Sequence, residues 1–260
     1  MDDRHASLHT VLRELHLTTM AEVCSDLALK AAREGVSHEA YLLELARLEA
    51  EARTQRRQER RLQMSGLPRE KTLATLLVER FPAPVRLHLE RIRRGDWIEQ
   101  ASNIIAIGPP GTGKSHVLAA VGHVMVERGY SVLWTTTATL VQRLLAAKRD
   151  LRLPQELAKL DRIACLILDD IGYVQQSSDE MEVLFTLLSA RYERRSVLIS
   201  SNLVFSQWQT IFKNPMTTAA AIDRVIHHAM LLDLSGMTSY RVAAGAASAR
   251  DESATTTAIS

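Results

Sequence analysis

The sequence predicts an α/β protein, a P-loop domain with a five-stranded parallel sheet, preceded by a small all-helical N-terminal domain. Three observations carry this reading. From residue 103 onward, short and wholly apolar segments alternate with helical patterns, as in a parallel sheet covered on both faces. A glycine-rich loop joins the first such segment to the first helix. The first part of the chain shows helical periodicity and no strand signal.

The elements follow in order. Leu8, Leu12, Leu15 and Leu17, then Met20, Val23, Leu27 and Leu29, recur near a 3.6-residue period. Ser37 is placed to cap a further helix with Ala40, Leu43, Leu45 and Leu48 on its apolar side. That helix then turns basic, with Arg53, Arg56, Arg57, Arg60 and Arg61 set against Glu51 and Glu59, and ends at Gly66 and Pro68. Residues 1–68 are therefore expected to form the helical domain. Residues 69–100, interrupted by Pro82 and Pro84, read as a linker with one short helix over 85–94 stopped by Gly95. Strands are expected at 103–107, 131–135, 164–168, 197–200 and 230–234. Helices are expected at 114–128, through Leu140 and Leu145, at 180–192 and at 219–227. This second domain spans 101–242, and the Ala-, Ser- and Thr-rich residues 243–260 read as a disordered tail.

Composition narrows the function classes. The chain has 260 residues with 46% hydrophobic and 24% charged, enough for a core without metal or disulfide. Cys24 and Cys165 read as reduced, buried thiols. No apolar run approaches the roughly 20 residues of a membrane span. The start is polar, with Asp2 and Asp3, unlike a signal peptide. A cytoplasmic location without a membrane partner is expected. The net charge of +2 gives no global sign of nucleic acid.

Gly108-Pro109-Pro110-Gly111-Thr112-Gly113-Lys114-Ser115 matches G-x-x-x-x-G-K-[ST]. Its glycines let backbone N–H groups turn toward phosphate oxygens, and the following helix aims its positive end at the same anion. Lys114 supplies a point charge for the β- and γ-phosphates of ATP, and Ser115 a hydroxyl for Mg²⁺. Asp169 and Asp170 end an apolar strand further on. By themselves they fit a helix N-cap equally well. Paired with the loop, Asp169 becomes a Mg²⁺ ligand and Asp170 the base that orients the attacking water. Ser200-Ser201-Asn202 ends the fourth strand, where a polar side chain either faces the γ-phosphate or closes a turn. Arg224, beside Asp223, is either an arginine finger or a solvated charge.

Together these segments resemble an AAA+ ATPase, most closely the transposition helper ATPases of the IstB type, relatives of the helicase loader DnaC and the initiator DnaA. The matching stretches are 108–116 (GPPGTGKSH), 166–173 (LILDDIGY), 200–208 (SSNLVFSQW), 223–228 (DRVIHH) and 239–241 (SYR). To these are added LRELHLTTMA from Leu12, the segment Glu70-Lys71-Thr72-Leu73, and Gly95-Asp96-Trp97-Ile98-Glu99. The resemblance spans about residues 8–242 and draws His116 into the nucleotide-binding stretch. It implies that Asn202 is the sensor beside the γ-phosphate and that Arg224 is a finger acting on a neighbouring subunit's ATP. It also implies duplex DNA and a cognate transposase as partners. The chain departs from the family's common Asp-Glu with Asp169-Asp170, and little sequence follows the fifth strand for a helical lid.

The basic run supports DNA independently, because Arg53, Arg57 and Arg60, with Arg61, recur at helical spacing and Arg56 lies on the adjacent edge. Such a stripe suits phosphate contact, although a solvated helix face has the same appearance. Trp97, Trp134 and Trp208 are scattered, as packing residues are. A subunit whose finger serves its neighbour must self-associate head to tail into a ring, spiral or filament. The alternatives are a DnaC-like replicative helicase loader and a monomeric P-loop kinase.

Overall fold

The computed structural model describes residues 3–172, 177–203, 207–208 and 225–240. The chain divides into two units, Met1–Arg60 and Arg61–Ser260.

The first unit is helical, with α1 (Asp3–Glu14), α2 (Thr18–Glu34) and the start of α3 (His38–Ser65). Ser37 caps α3 as its sequence suggests, its Oγ accepting the Ala40 N–H at 3.2 Å. Ala21, Cys24 and Leu45 are buried. No side chain of its own caps α2. Glu49 of α3 does this instead: its buried Oε2 accepts the Thr19 and Met20 N–H groups at 2.8 and 3.1 Å. Its other oxygen holds Arg53 at 3.0 Å and Arg56 at 3.2 Å. Burial pushes the Glu49 carboxyl up, but the bonds from Met20, Arg53 and Thr19 outweigh it and hold the group below its ordinary value.

The second unit holds α4 (Ala83–Arg94), β1 (Asn103–Ile107), α5 (Lys114–Glu127), β2 (Val132–Thr136), α6 (Thr137–Arg149) and α7 (Leu153–Asp161). They are followed by β3 (Cys165–Ile171), α8 (Ser178–Arg191), β4 (Ser196–Ser201) and β5 (Ala229–Asp233). The strands form one parallel sheet in the order β2-β3-β4-β1-β5. Strand alternation sends Ile104 and Ala106 into the core under α4 and α5, and Ile105 and Ile107 into the core under α6 and α8. Each fully buried Ile or Leu contributes roughly 1.5–3 kcal/mol. The double burial explains why the strands are apolar throughout. No described helix is long and apolar enough to cross a membrane.

Four differences from the sequence reading have physical causes. The segment read as a linker contributes Leu76, Phe81, Val85, Leu89, Ile92 and Trp97 to the core. Its prolines break the chain locally, but Val85, Leu89 and Ile92 form a helical stripe on α4. Helix α7 has no counterpart among the expected helices; it is short, and Pro154 stands in its first turn. Strand β3 runs on through both aspartates to Ile171. The basic stripe divides, because Arg53 and Arg56 serve Glu49 while Arg57 and Arg60 are exposed and make no ion pair among the described residues. Arg224, Arg241 and the tail at 243–260 lie outside the described residues, as does most of the helix expected over 219–227. Both cysteines are free and buried, and burial pushes the Cys165 thiol up to about 12.

Candidate nucleotide site

The loop that follows β1 closes over its own backbone. Gly108 and Gly111 have φ of +150° and +81°. A Cβ at Gly108 would meet the Leu234 backbone, and one at Gly111 would collide with Ser239 Oγ. The residues after β5 therefore lie against the loop, and the Tyr240 N–H donates to the Gly111 carbonyl at 2.8 Å. Only residues without a side chain allow that approach.

Lys114 opens α5 and is buried. Its Nζ donates to the carbonyls of Gly108 at 2.7 Å and Pro109 at 2.9 Å. Burial lowers its pKa, against the opposing pull of Asp170 and Asp169. Ser115 donates through Oγ to Asp169 Oδ1 at 2.7 Å. A hydroxyl and a carboxylate oxygen held together are the hard donors that Mg²⁺ takes, so Ser115 and Asp169 fit that ion.

The two aspartates occupy a β-bulge. Leu168 pairs with Ile199 and Ile171 with Ser201, so both face the single residue Ser200. Asp170 there has φ of +64°, a left-handed conformation that Asp enters more readily than most residues. Ser200 locks the bulge, accepting the Asp170 N–H at 2.8 Å and donating to Asp169 Oδ1 at 2.5 Å. Partial desolvation and then the Asp169 charge raise the Asp170 pKa, opposed by Lys114. Asn202 lies just beyond on the same strand end, and its Oδ1 is buried with no partner among the described residues. Its amide thus retains open hydrogen-bonding capacity at the carboxyl end of β4.

A cleft of about 340 Å³ borders the loop. Gly111–Ser115 form one wall; Leu76, Phe81 and Met237 supply apolar surface. Arg80, also in the lining, lies over the Tyr240 ring, 4.9 Å from its centroid. His116 lines the same cleft, but its Nε2 is 3.1 Å from both the Thr72 carbonyl and the Thr75 hydroxyl. Its ring thus fastens the 72–75 turn at the cleft.

Sequence reasoning singles out the loop, Asp169, Asp170 and Asn202; in the structure the loop follows β1, the aspartates lie near the carboxyl end of β3, and Asn202 follows β4, on three adjoining parallel strands. It misses Ser200, whose signal is only its place in Ser200-Ser201-Asn202, and the role of the 71–81 segment as a cleft wall, for which only Glu70-Lys71-Thr72-Leu73 gives any sign.

A family model described as IstB-like ATP binding protein matches residues 10–248. The chain belongs to that family. A protein from Sinorhizobium fredii named for ATP binding in an insertion sequence is 41% identical over 91% of this chain and 79% of its own length. The corresponding protein named for insertion sequence IS21 of Pseudomonas aeruginosa is 32% identical over 90% of this chain and 88% of its own. Among solved structures, DnaI aligns with a TM-score of 0.54 at 20% identity, covering 65% of this chain and 95% of that one. AMPPCP-bound DnaA from Aquifex aeolicus aligns with 0.53 at 19%, covering 66% and 51%. The IstB-like ATP binding chain thus has an AAA+ fold, with ATP as its ligand class.

Proposed function

We propose that this IstB-like chain is a Mg²⁺-dependent ATPase that assembles on duplex DNA and assists a cognate transposase. The observation that carries the enzymatic part is the Ser115–Asp169 bond at 2.7 Å beside a buried Lys114. Lys114 exchanges its loop carbonyls for β- and γ-phosphate oxygens as ATP enters. Ser115 and Asp169 would hold Mg²⁺, which would supply charge neutralisation at the same phosphates. Asp170 accepts the proton of the attacking water, and the Asn202 amide orients that water or the γ-phosphate. Arg224 from a neighbouring subunit stabilises the transition-state charge, which makes the assembly head to tail. Support for the transposition part comes from the relatives, which are named for insertion sequences. Duplex DNA would be met by the exposed Arg57 and Arg60, with Arg61 next along α3.

The test is phosphate release with and without duplex DNA, together with electron microscopy of the protein on DNA with ATP. Wild type should hydrolyse ATP and form rings, spirals or filaments, while Lys114→Ala binds no fluorescent ATP analogue. Arg224→Ala should bind ATP yet neither turn over nor assemble, and mixing it with Lys114→Ala should restore part of the activity. A monomeric wild type on DNA with ATP, alongside normal hydrolysis by Arg224→Ala, would remove the shared site. Capture of a replicative helicase in place of the transposase would move the protein to helicase loading.

A further inference from the structure

At the other end of the sheet, away from the P-loop, Glu193, His227 and His228 converge. One ligand atom from each lies within 4.8 Å of the other two. Glu193 Oε1 and His228 Nε2 are already 3.7 Å apart, and the two imidazole centroids 4.2 Å. We infer that these three side chains form a binding site for a Zn²⁺-class transition-metal ion, with water completing a tetrahedral shell.

The backbone beneath the cluster is fixed from both sides. The Asn103 N–H donates to the His228 carbonyl at 2.9 Å, and Asn103 Nδ2 donates to the Val225 carbonyl at 3.0 Å. The backbone on both sides of His227 is thereby tied to the first residue of β1. Across from them, the turn between α8 and β4 is pinned by Arg191, buried to 1% exposure, which donates to the carbonyls of Leu160, Ile163 and Ser196. Glu193 in that turn has φ of +54°, an uncommon conformation for a glutamate and of the kind that persists where its surroundings impose it. Tyr192 places its hydroxyl 3.1 Å from His227 Nδ1, restraining that ring.

The chemistry selects the ion. Two imidazoles and one carboxylate suit Zn²⁺, and the set is poor for Mg²⁺, which prefers oxygen donors and keeps its waters. Tetrahedral bonds of about 2.0–2.2 Å bring ligand atoms to roughly 3.4 Å of one another. All three side chains are exposed, so small rotamer changes close the remaining distance. Strand β1 runs from Asn103, under the trio, to Ile107, at the nucleotide loop, a rise of roughly 13–17 Å. The site is therefore separate from the ATP·Mg²⁺ centre.

The test is calorimetric titration of the untagged full chain with Zn²⁺ in excess Mg²⁺, followed by Co²⁺ spectroscopy. One equivalent should bind, and Co²⁺ should give the visible absorption of a tetrahedral nitrogen and oxygen site. His228→Ala and Glu193→Gln should each weaken binding at least about tenfold, the loss typical even of an outer partner. Binding of the ATP analogue by these variants should be unchanged, which separates metal loss from misfolding. An unaltered isotherm in the His227→Ala, His228→Ala double variant overturns the assignment. So does a thiolate charge-transfer band, which would put the ion on a cysteine.

Discussion

The Ser200 hydroxyl donates to Asp169 Oδ1 at 2.5 Å while accepting the Asp170 N–H at 2.8 Å. One side chain on β4 thus sets the direction of the carboxylate read as the Mg²⁺ ligand and the backbone of the carboxylate read as the base. Ser200→Ala leaves the Asp170 N–H without that acceptor and leaves Asp169 Oδ1 held by Ser115 alone. Outer partners of metal ligands typically cost 10–100-fold when removed. The expected result is a rise of about tenfold or more in the Mg²⁺ concentration needed for half-maximal turnover, with ATP-analogue binding less affected. Mg²⁺ dependence within twofold of wild type would reduce Ser200 to a structural part of the bulge.

Asp170→Asn separates binding from chemistry. The amide retains the size and the left-handed backbone but accepts no proton, so turnover should fall by roughly 10²–10⁴-fold with ATP affinity nearly intact. The pH dependence has a definite sign. The Asp170 pKa is raised above its ordinary 3.8, so the active carboxylate should appear only as pH climbs past that value. Turnover should therefore rise with pH on its acid side, and the variant should lack that limb. Stability moves the other way. A carboxyl with a raised folded pKa weakens the fold as pH rises from the unfolded value through the folded one. Without nucleotide or Mg²⁺, Asp170→Asn should melt higher than wild type at neutral pH and equal to it below about pH 4. Equal melting at both pH values, with undiminished turnover, would exclude the role given to Asp170.

The legible parts of the site are those fixed by local backbone chemistry. The loop at 108–115 requires glycines in sequence and is seen at once. The carboxylates follow an apolar strand and are seen through it. The bulge is not legible, because it arises from register between β3 and β4 and nothing near Asp170 encodes it. The cleft wall at 71–81 is hidden for a similar reason. Pro82 and Pro84 signal a break, whereas the burial of Phe81 and Leu76 depends on α5 and the sheet arriving from elsewhere in the chain. The basic run misleads in a third way. Helical spacing puts Arg53 and Arg57 on one face, but it does not reveal that Glu49, one turn before Arg53, is a buried partner.

That last relationship divides the arginines into two experimental classes. Glu49 caps α2 through Thr19 and Met20 and holds Arg53 and Arg56. Removing it by Glu49→Ala leaves two helix N–H groups and two guanidiniums without that partner, a loss of about 2–3 kcal/mol in the first unit. Arg53→Ala should cost less, about 1 kcal/mol or below, since its side chain is 42% exposed and its ion pair is partly screened. The Glu49 pKa is depressed, so this stability should be present above the ordinary carboxylate range and lost as pH falls through the folded value. Arg57 and Arg60 should behave oppositely. Changing both to Glu should leave thermal melting unaltered and weaken duplex binding similarly for all sequences. The slope of log affinity against log salt should flatten by roughly 0.9 for each phosphate that is no longer neutralised. Melting curves and DNA titrations at several salt concentrations on the same two sets of variants decide the matter. If Arg57→Glu, Arg60→Glu retains both affinity and slope, while Arg53→Ala, Arg56→Ala loses binding without melting lower, then DNA is held by the capping pair and the division drawn from Glu49 is wrong.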